Sequence, residues 1–316
     1  MIPVSMRSAF VQTIDRMMDE RSDLAIVLAD IGVSLFEELG TADRHPQRVV
    51  NVGIREQLQV GFAAGLAVEG LRPVVHTYAP FLVERPFEQL KLDFAHQGLG
   101  GVFVSVGASY DSTVSGRTHQ APEDVALVAS LPDFEIVVPG HADEADQLLR
   151  RSVARRHSVY VRLSEESNND SLNVSSEEMV LVRDGSLESP VVVAVGPMLD
   201  SVVGAVSDLD VTVLYATTVR PFDHNTLRRH ASRDVILVEP YLAGTSAAEV
   251  AVALRDVPHR LWSLGVGLGE LRNYGTIDEH NRAHGLDTEG IHTSIVDFIY
   301  AGSTRQTAPL RSIEAI

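Results

Sequence analysis

The 316-residue sequence contains no cysteine. That removes disulfides, thiolate nucleophiles and cysteine-held zinc or iron–sulfur clusters from consideration. Positive charge is also scarce: 26 lysines and arginines stand against 43 aspartates and glutamates, for a formal net charge of −17. Such a surface repels a nucleic acid backbone and an anionic membrane, so neither is an expected partner. Long apolar runs are missing too. Residues 191–196 are among the longest, far short of the roughly 20 apolar residues that cross a bilayer. The opening MIPVSMRSAF lacks the basic start and apolar stretch of a signal peptide. These absences make a soluble, cytoplasmic protein the expectation.

What is present is an ordinary globular composition, 45% hydrophobic and 22% charged, over a length suited to about two domains. Short β-branched runs alternate with longer amphipathic stretches. Strands are predicted at 25–30, 49–52, 73–78, 102–106, 135–138 and 158–163, with helices at 6–18, 55–69, 81–97, 123–131 and 142–155. Strands this continuously apolar suit a mostly parallel sheet covered by helices on both faces. The rhythm breaks at 164–189, a stretch rich in Ser, Asn and acidic residues with one short apolar run. It resumes with strands at 191–195, 211–215, 234–238 and 260–264. The expected organisation is α/β: a first domain at 1–165, a linker at 166–189 with room for one edge strand, a second domain at 190–303, and a loosely ordered tail at 304–316.

Several stock motifs fall away on inspection. Gly265, Gly267 and Gly269 follow a strand, but without the full dinucleotide spacing and after the last strand of the series. His280 and His284 have zinc-ligand spacing, yet Asn281 stands where a metalloprotease needs glutamate, so a surface helix is expected there. No G-x-S-x-G elbow is present.

The informative stretch begins at Asn51-Val52-Gly53-Ile54-Arg55-Glu56-Gln57. It sets a glutamate at the end of a strand, where a helix of small and apolar residues begins. A desolvated carboxyl there is able to keep its proton and share it with a basic ring nitrogen. Read in isolation, the same residue also suits the plainer role of accepting hydrogen bonds from the helix's first amides. Further on come His76-Thr77-Tyr78-Ala79-Pro80-Phe81 and Ser115-Gly116-Arg117-Thr118-His119-Gln120.

Together, in this order and inside this βα scaffold, these elements resemble the transketolase family of thiamine-diphosphate enzymes. The resemblance covers the pyrimidine-binding domain and the C-terminal domain, from about Met6 to Ile299. It implies that Glu56 hydrogen-bonds the cofactor's aminopyrimidine and promotes the imino tautomer that deprotonates the thiazolium carbon. It implies further that Tyr78 and Phe81 pack around that ring and that Asp30 and Ser34 belong to a loop reaching the cofactor or a substrate phosphate. His119 matches the active-site histidine, suited to shuttling a proton and stabilising an oxyanion. Arg162, and less securely Arg7, fall where relatives hold a substrate phosphate.

The sequence departs from sugar-phosphate transketolases in two ways. Ser115 replaces an aspartate that recognises a sugar hydroxyl, and Arg117 replaces a proline, which offers a new contact for a carboxylate or phosphate. The Gly-Asp-Gly…Asn element for the diphosphate and Mg2+ is missing. Asp184-Gly185 lacks the leading glycine, so no residue of this chain is expected to bind the metal. The resemblance therefore implies a split enzyme: this chain as the C-terminal subunit, a separate N-terminal-like subunit carrying the diphosphate site, an α2β2 assembly, and transfer of a two-carbon ketol or acyl unit. Decarboxylative chemistry on a 2-oxo acid, as in a carboligase or the β chain of a 2-oxo-acid dehydrogenase, and a non-catalytic scaffold are the alternatives.

Overall fold

A computed structural model describes residues 4–301; the tail expected at 304–316 lies outside the described residues. Two sheets organise the chain, as the alternating pattern predicts. The strands in chain order are β1 Leu24–Leu28, β2 Val49–Asn51, β3 Arg72–Tyr78, β4 Val102–Val106, β5 Phe134–Val137, β6 Ser158–Arg162, β7 Val180–Arg183, β8 Val191–Val195, β9 Thr212–Ala216, β10 Thr218–Arg220, β11 Asp234–Leu242 and β12 Arg260–Val266. The first sheet has seven strands in the order β10-β5-β6-β4-β3-β1-β2, and the second has five, β12-β11-β8-β9-β7. Pairing is parallel except at β10 and β7. Every residue of β1, β4, β5, β6, β8 and β9 is buried, which is why these runs are mostly apolar and do not alternate.

Helices cover both sheets. Among them are α1 Met6–Glu20, α2 Glu56–Val68, α3 Ala142–Ala154, α4 Ile277–His284 and α5 Thr288–Ala301. The Ser5 hydroxyl caps α1 by accepting from the Ser8 amide at 3.1 Å. The helix expected over 81–97 is broken instead: π-turns at Pro80–Glu84 and Leu90–Ala95 flank a short α-turn at Phe87–Gln89. Pro86 has no N–H and its ring disrupts the regular ladder. The Arg85 amide reaches back five residues to the Pro80 carbonyl at 3.2 Å, the bond of a π-turn.

One feature is the edge strand expected in the linker, and two others link the halves more closely than the sequence pattern suggests. Within 166–189, β7 joins the edge of the second sheet antiparallel to β9, and Val174 and Met179 are buried. β10 leaves the second half to extend the first sheet, pairing Thr218 with Val137 and Arg220 with Ile136. The helix carrying His280 and His284 is not a free surface helix. His280 is buried and stacks on Tyr110 at 4.8 Å, and the Tyr110 hydroxyl donates to Asn281.

The second sheet also contains a buried acid. Glu239, in β11, is wholly buried. One carboxyl oxygen accepts from the Ser246 amide at 3.2 Å and the other has no partner. Burial pushes its pKa up to about 7. A raised pKa means that this group's contribution to stability is complete below the unfolded value, near 4.3, and is lost as pH rises through about 7. Glu239→Gln keeps the acceptor and cannot ionise. Urea unfolding at pH 4.5 and pH 8 is expected to show the wild type losing about 3 kcal/mol relative to this variant across that interval.

Candidate active site

In a parallel sheet, the crevice beyond the carboxyl ends of the strands is the natural ligand site, especially where the strand order reverses. Here the chain runs from β1 outward to β2 and then returns to place β3 on the other side of β1. The residues leaving β1, β2, β3 and β4 at that end are Asp30, Asn51 with Glu56, Tyr78, and Gly107. A cavity of about 650 Å³ lies at the opposite end, where Phe134 and Ser158 begin β5 and β6. Its position at the amino ends argues against a catalytic role.

Glu56 opens α2 and is 4% exposed. It makes no helix cap; Arg55 occupies the N-cap position without a side-chain cap bond, and the glutamate accepts from Arg85 Nη1 at 2.9 Å. The Arg85 guanidinium carbon in turn lies 3.9 Å from the centroid of the Phe81 ring, a cation–π contact. Phe81 meets the His119 ring edge-on at 4.9 Å, and Tyr78 meets His119 at 5.5 Å and Phe81 at 5.9 Å. A buried carboxylate, an aromatic face and a histidine thus form one continuous chain of contacts. Gly107 is required beside it: at φ +72°, a Cβ there would stand 2.4 Å from the Tyr78 ring.

His119 ends the 3₁₀ segment Thr113–His119, half-buried, with Nδ1 2.9 Å from the Thr118 hydroxyl. Gly116 kinks that segment at φ +68°, and a Cβ at this point would lie 2.8 Å from Tyr274 of the second half. The loop therefore touches both halves: Tyr78 of β3 and Tyr274 of the stretch after β12.

The other expected site residues divide. Asp30, left-handed at φ 64°, is tied to Asn51: its amide donates to Asn51 Oδ1 at 3.0 Å and Asn51 Nδ2 donates back at 2.9 Å. Asn51 Oδ1 also accepts from the Gly53 amide at 3.0 Å, which holds the turn that delivers Glu56. Ser34 is exposed in the short helix Val33–Glu38, and Ser115 is exposed in the 3₁₀ segment. Arg7 lies half-buried in the first turn of α1, with its Nε buried and without a hydrogen-bond partner among the described residues.

Two of the expected anion contacts are already paired within the chain. Arg117 donates to the Gln120 carbonyl at 2.5 Å and to Glu123 at 3.0 Å, and lies 3.4 Å from Glu270. Arg162 is enclosed. It is 1% exposed, donates to Asp124 at 2.8 Å and Ser109 at 2.6 Å, and is enclosed by the Tyr241 ring. Asp124 also accepts from the Tyr160 hydroxyl at 2.7 Å, and Ser109 donates to the Pro240 carbonyl at 2.5 Å. This network anchors the start of the His119 loop to β6 and to β11.

The residues missed by sequence reasoning are Arg85, Asn51 and Asp124. Asn51 had a signal, since it directly precedes the Val-Gly turn. Arg85 had none, because it is 29 positions from Glu56 in a segment that reads as plain helix.

The arrangement defines a class: a parallel α/β protein with a buried carboxylate joined through an arginine to an aromatic cluster and a histidine at the carboxyl end of its first sheet. The chain belongs to the transketolase family; the model of the transketolase pyrimidine-binding domain matches residues 3–170. It is 48% identical over 299 residues to a 33.6 kDa protein in the fasciation locus of Rhodococcoides fascians, covering 93% of this chain and 95% of that one. It is 31% identical to one of the subunits of the apulose-4-phosphate transketolase of Actinobacillus succinogenes, covering 85% and 90% respectively. It is also 30% identical to the 1-deoxy-D-xylulose-5-phosphate synthase of Albidiferax ferrireducens, of which it spans only 48%. Among solved structures, a split-gene transketolase described as an inactive β4 tetramer superposes with a TM-score of 0.81 at 23% identity, covering 93% of this chain and 98% of that one. At that identity the likeness bears on the fold. Among the described residues, no helix is long and apolar enough to cross a membrane.

Proposed function

We propose that this chain is the C-terminal, pyrimidine-binding subunit of a two-chain, thiamine-diphosphate-dependent transferase that moves a two-carbon unit from a ketose or 2-oxo donor to an aldehyde acceptor. The observation that carries this reading is the buried Glu56 carboxylate, one planar guanidinium away from the Phe81 ring that also touches His119. A carboxyl and an aromatic face at that spacing suit an aminopyrimidine, which needs a proton partner at one ring nitrogen and stacking on its face. When bound, the cofactor supplies a carbon nucleophile for a carbonyl substrate.

The residues of this chain then have defined tasks. Glu56 holds a proton against the ring nitrogen. Phe81 and Tyr78 orient the ring and exclude water, with Asp30 and Asn51 bracing the loop at its side. His119 has Nδ1 engaged by Thr118, and its other ring nitrogen moves the proton at the substrate oxygen. Ser115, Ser34 and Arg7 line the outer, substrate side, where Ser115 offers a neutral hydrogen bond in place of an anionic acceptor.

The diphosphate and Mg2+ belong, in this reading, to an N-terminal-like partner subunit with a Gly-Asp-Gly…Asn element, in an α2β2 assembly. The partial coverage of the synthases supports a missing half, and so does the apulose-4-phosphate transketolase, whose matching chain is one subunit of that enzyme. Ile54, Leu58 and Phe62 add to this support: they are exposed by 70%, 51% and 38%, at intervals of four residues beside Glu56. Such a stripe suits cover by another chain. Calorimetry is expected to detect tight thiamine diphosphate binding only when the two subunits and Mg2+ are combined. Submicromolar binding by this chain alone would overturn the split site.

Decarboxylative chemistry is the second reading, favoured by the likeness to deoxyxylulose-phosphate synthases. Ketose donors and pyruvate, assayed side by side with the reconstituted pair, separate the two.

A further inference from the structure

Arg85 has no task in the reading above, yet it sits at the centre of the site. Its guanidinium is planar, cationic and rich in donors. It lies 3.9 Å from the Phe81 ring centroid while donating to Glu56 Oε1 at 2.9 Å. Stacking on an aromatic face and hydrogen bonding to a buried carboxyl are the two contacts that a bound aminopyrimidine needs from this chain. Arg85 makes both of those contacts itself, so a ring making the same two would displace it. Arg85 itself is 44% exposed on its side chain, against 5% for Glu56, so the arginine has an open way out to solvent and the carboxylate does not.

We propose that Arg85 is the resident occupant of the pyrimidine slot: in the lone chain it stands in for the cofactor ring, and it swings outward when the ring enters. The inference rests on the cofactor reading above and assigns a positioning residue that the reading lacks. Its physical basis is that a buried carboxylate without a partner is costly. Exchange of one donor for another keeps Glu56 paired before and after cofactor entry, and the π-turns on both sides of Arg85 supply a segment whose ladder is already irregular. The cost is competition. If the slot is closed nine-tenths of the time, apparent affinity for the ring falls about tenfold.

The test uses the full chain without its partner and thiamine as the probe, because thiamine carries the aminopyrimidine but no diphosphate. Calorimetric titration of Arg85→Ala is expected to give binding about tenfold tighter than wild type, with the gain removed in the Arg85→Ala/Glu56→Gln double variant. In the wild type, the Arg85 side-chain 15N–1H resonance is expected to shift as thiamine saturates the site. Far-UV circular dichroism checks that the variants fold, and Arg85→Lys, which keeps the charge but loses the planar stack, is expected to fall between. If Arg85→Ala binds no more tightly while Glu56→Gln weakens binding, the slot stands and the resident arginine is overturned. If thiamine binding is equal, or absent, in every variant, both the slot and its occupant fail.

Discussion

Glu56→Gln is expected to lower turnover of the reconstituted enzyme by about 10²- to 10⁴-fold, the usual worth of a positioned proton-transfer group, while leaving the fold and the subunit assembly intact. Glutamine has the same size and its amide oxygen still accepts from Arg85, so the buried position keeps its partner. Because Arg85 is substantially exposed, the stability lost with the charge is small, within about 1 kcal/mol after solvent screening. What glutamine cannot do is share a carboxyl proton with a ring nitrogen. Initial rates with ketose and 2-oxo donors, paired with size-exclusion chromatography of the mixed subunits, make the measurement. A variant that assembles and turns over at the wild-type rate would remove Glu56 from the chemistry and favour a scaffold role for the chain.

Arg162→Ala is expected to cost about 3–5 kcal/mol of stability, the penalty for stranding one member of a buried ion pair. Asp124 would retain its bond from the Tyr160 hydroxyl and lose the guanidinium at 2.8 Å, and Ser109 would lose its link to β6. Urea unfolding of the isolated chain reads the loss directly. Replacing both charges, as Arg162→Met with Asp124→Leu, is expected to cost far less than the two single changes added together, since no buried charge is left unpaired. A phosphate-binding arginine would behave in the opposite way: Arg162→Ala would leave stability near wild type and raise KM for a phosphorylated substrate.

The contrast between Glu56 and Arg162 indicates what was legible in the sequence. Strands such as Val191–Val195 were legible because burial on both faces leaves only apolar residues, and the turn ahead of Glu56 was legible because strand, glycine and helix start are local signals. Partners distant in sequence were not. Nothing around Arg162 in the chain announces Asp124, 38 positions earlier, so a buried structural arginine and a substrate-binding one read alike. Arg117 pairs locally with Gln120 and Glu123, but Glu270, 153 positions on, is equally absent from its sequence neighbourhood. The broken helix after Phe81 was open to a stricter reading of Pro86, whereas β10 was not: three residues carry no periodicity. His280 reads as a surface residue until Tyr110 is found stacked on it.

The short strand β10 has a consequence for where this chain can be cut. The family's pyrimidine-binding domain ends near residue 170, and common descent makes that boundary look like a natural place to excise a minimal protein. Backbone hydrogen bonding draws the boundary elsewhere, because β5 reaches its outer partner only through Thr218–Arg220. A fragment ending at 170 would present β5 as a bare edge, fully apolar along Phe134–Val137 apart from Glu135, and bare edges recruit other strands. Shuffling this module between relatives therefore means moving some fifty residues beyond its nominal end, or supplying a new strand in their place.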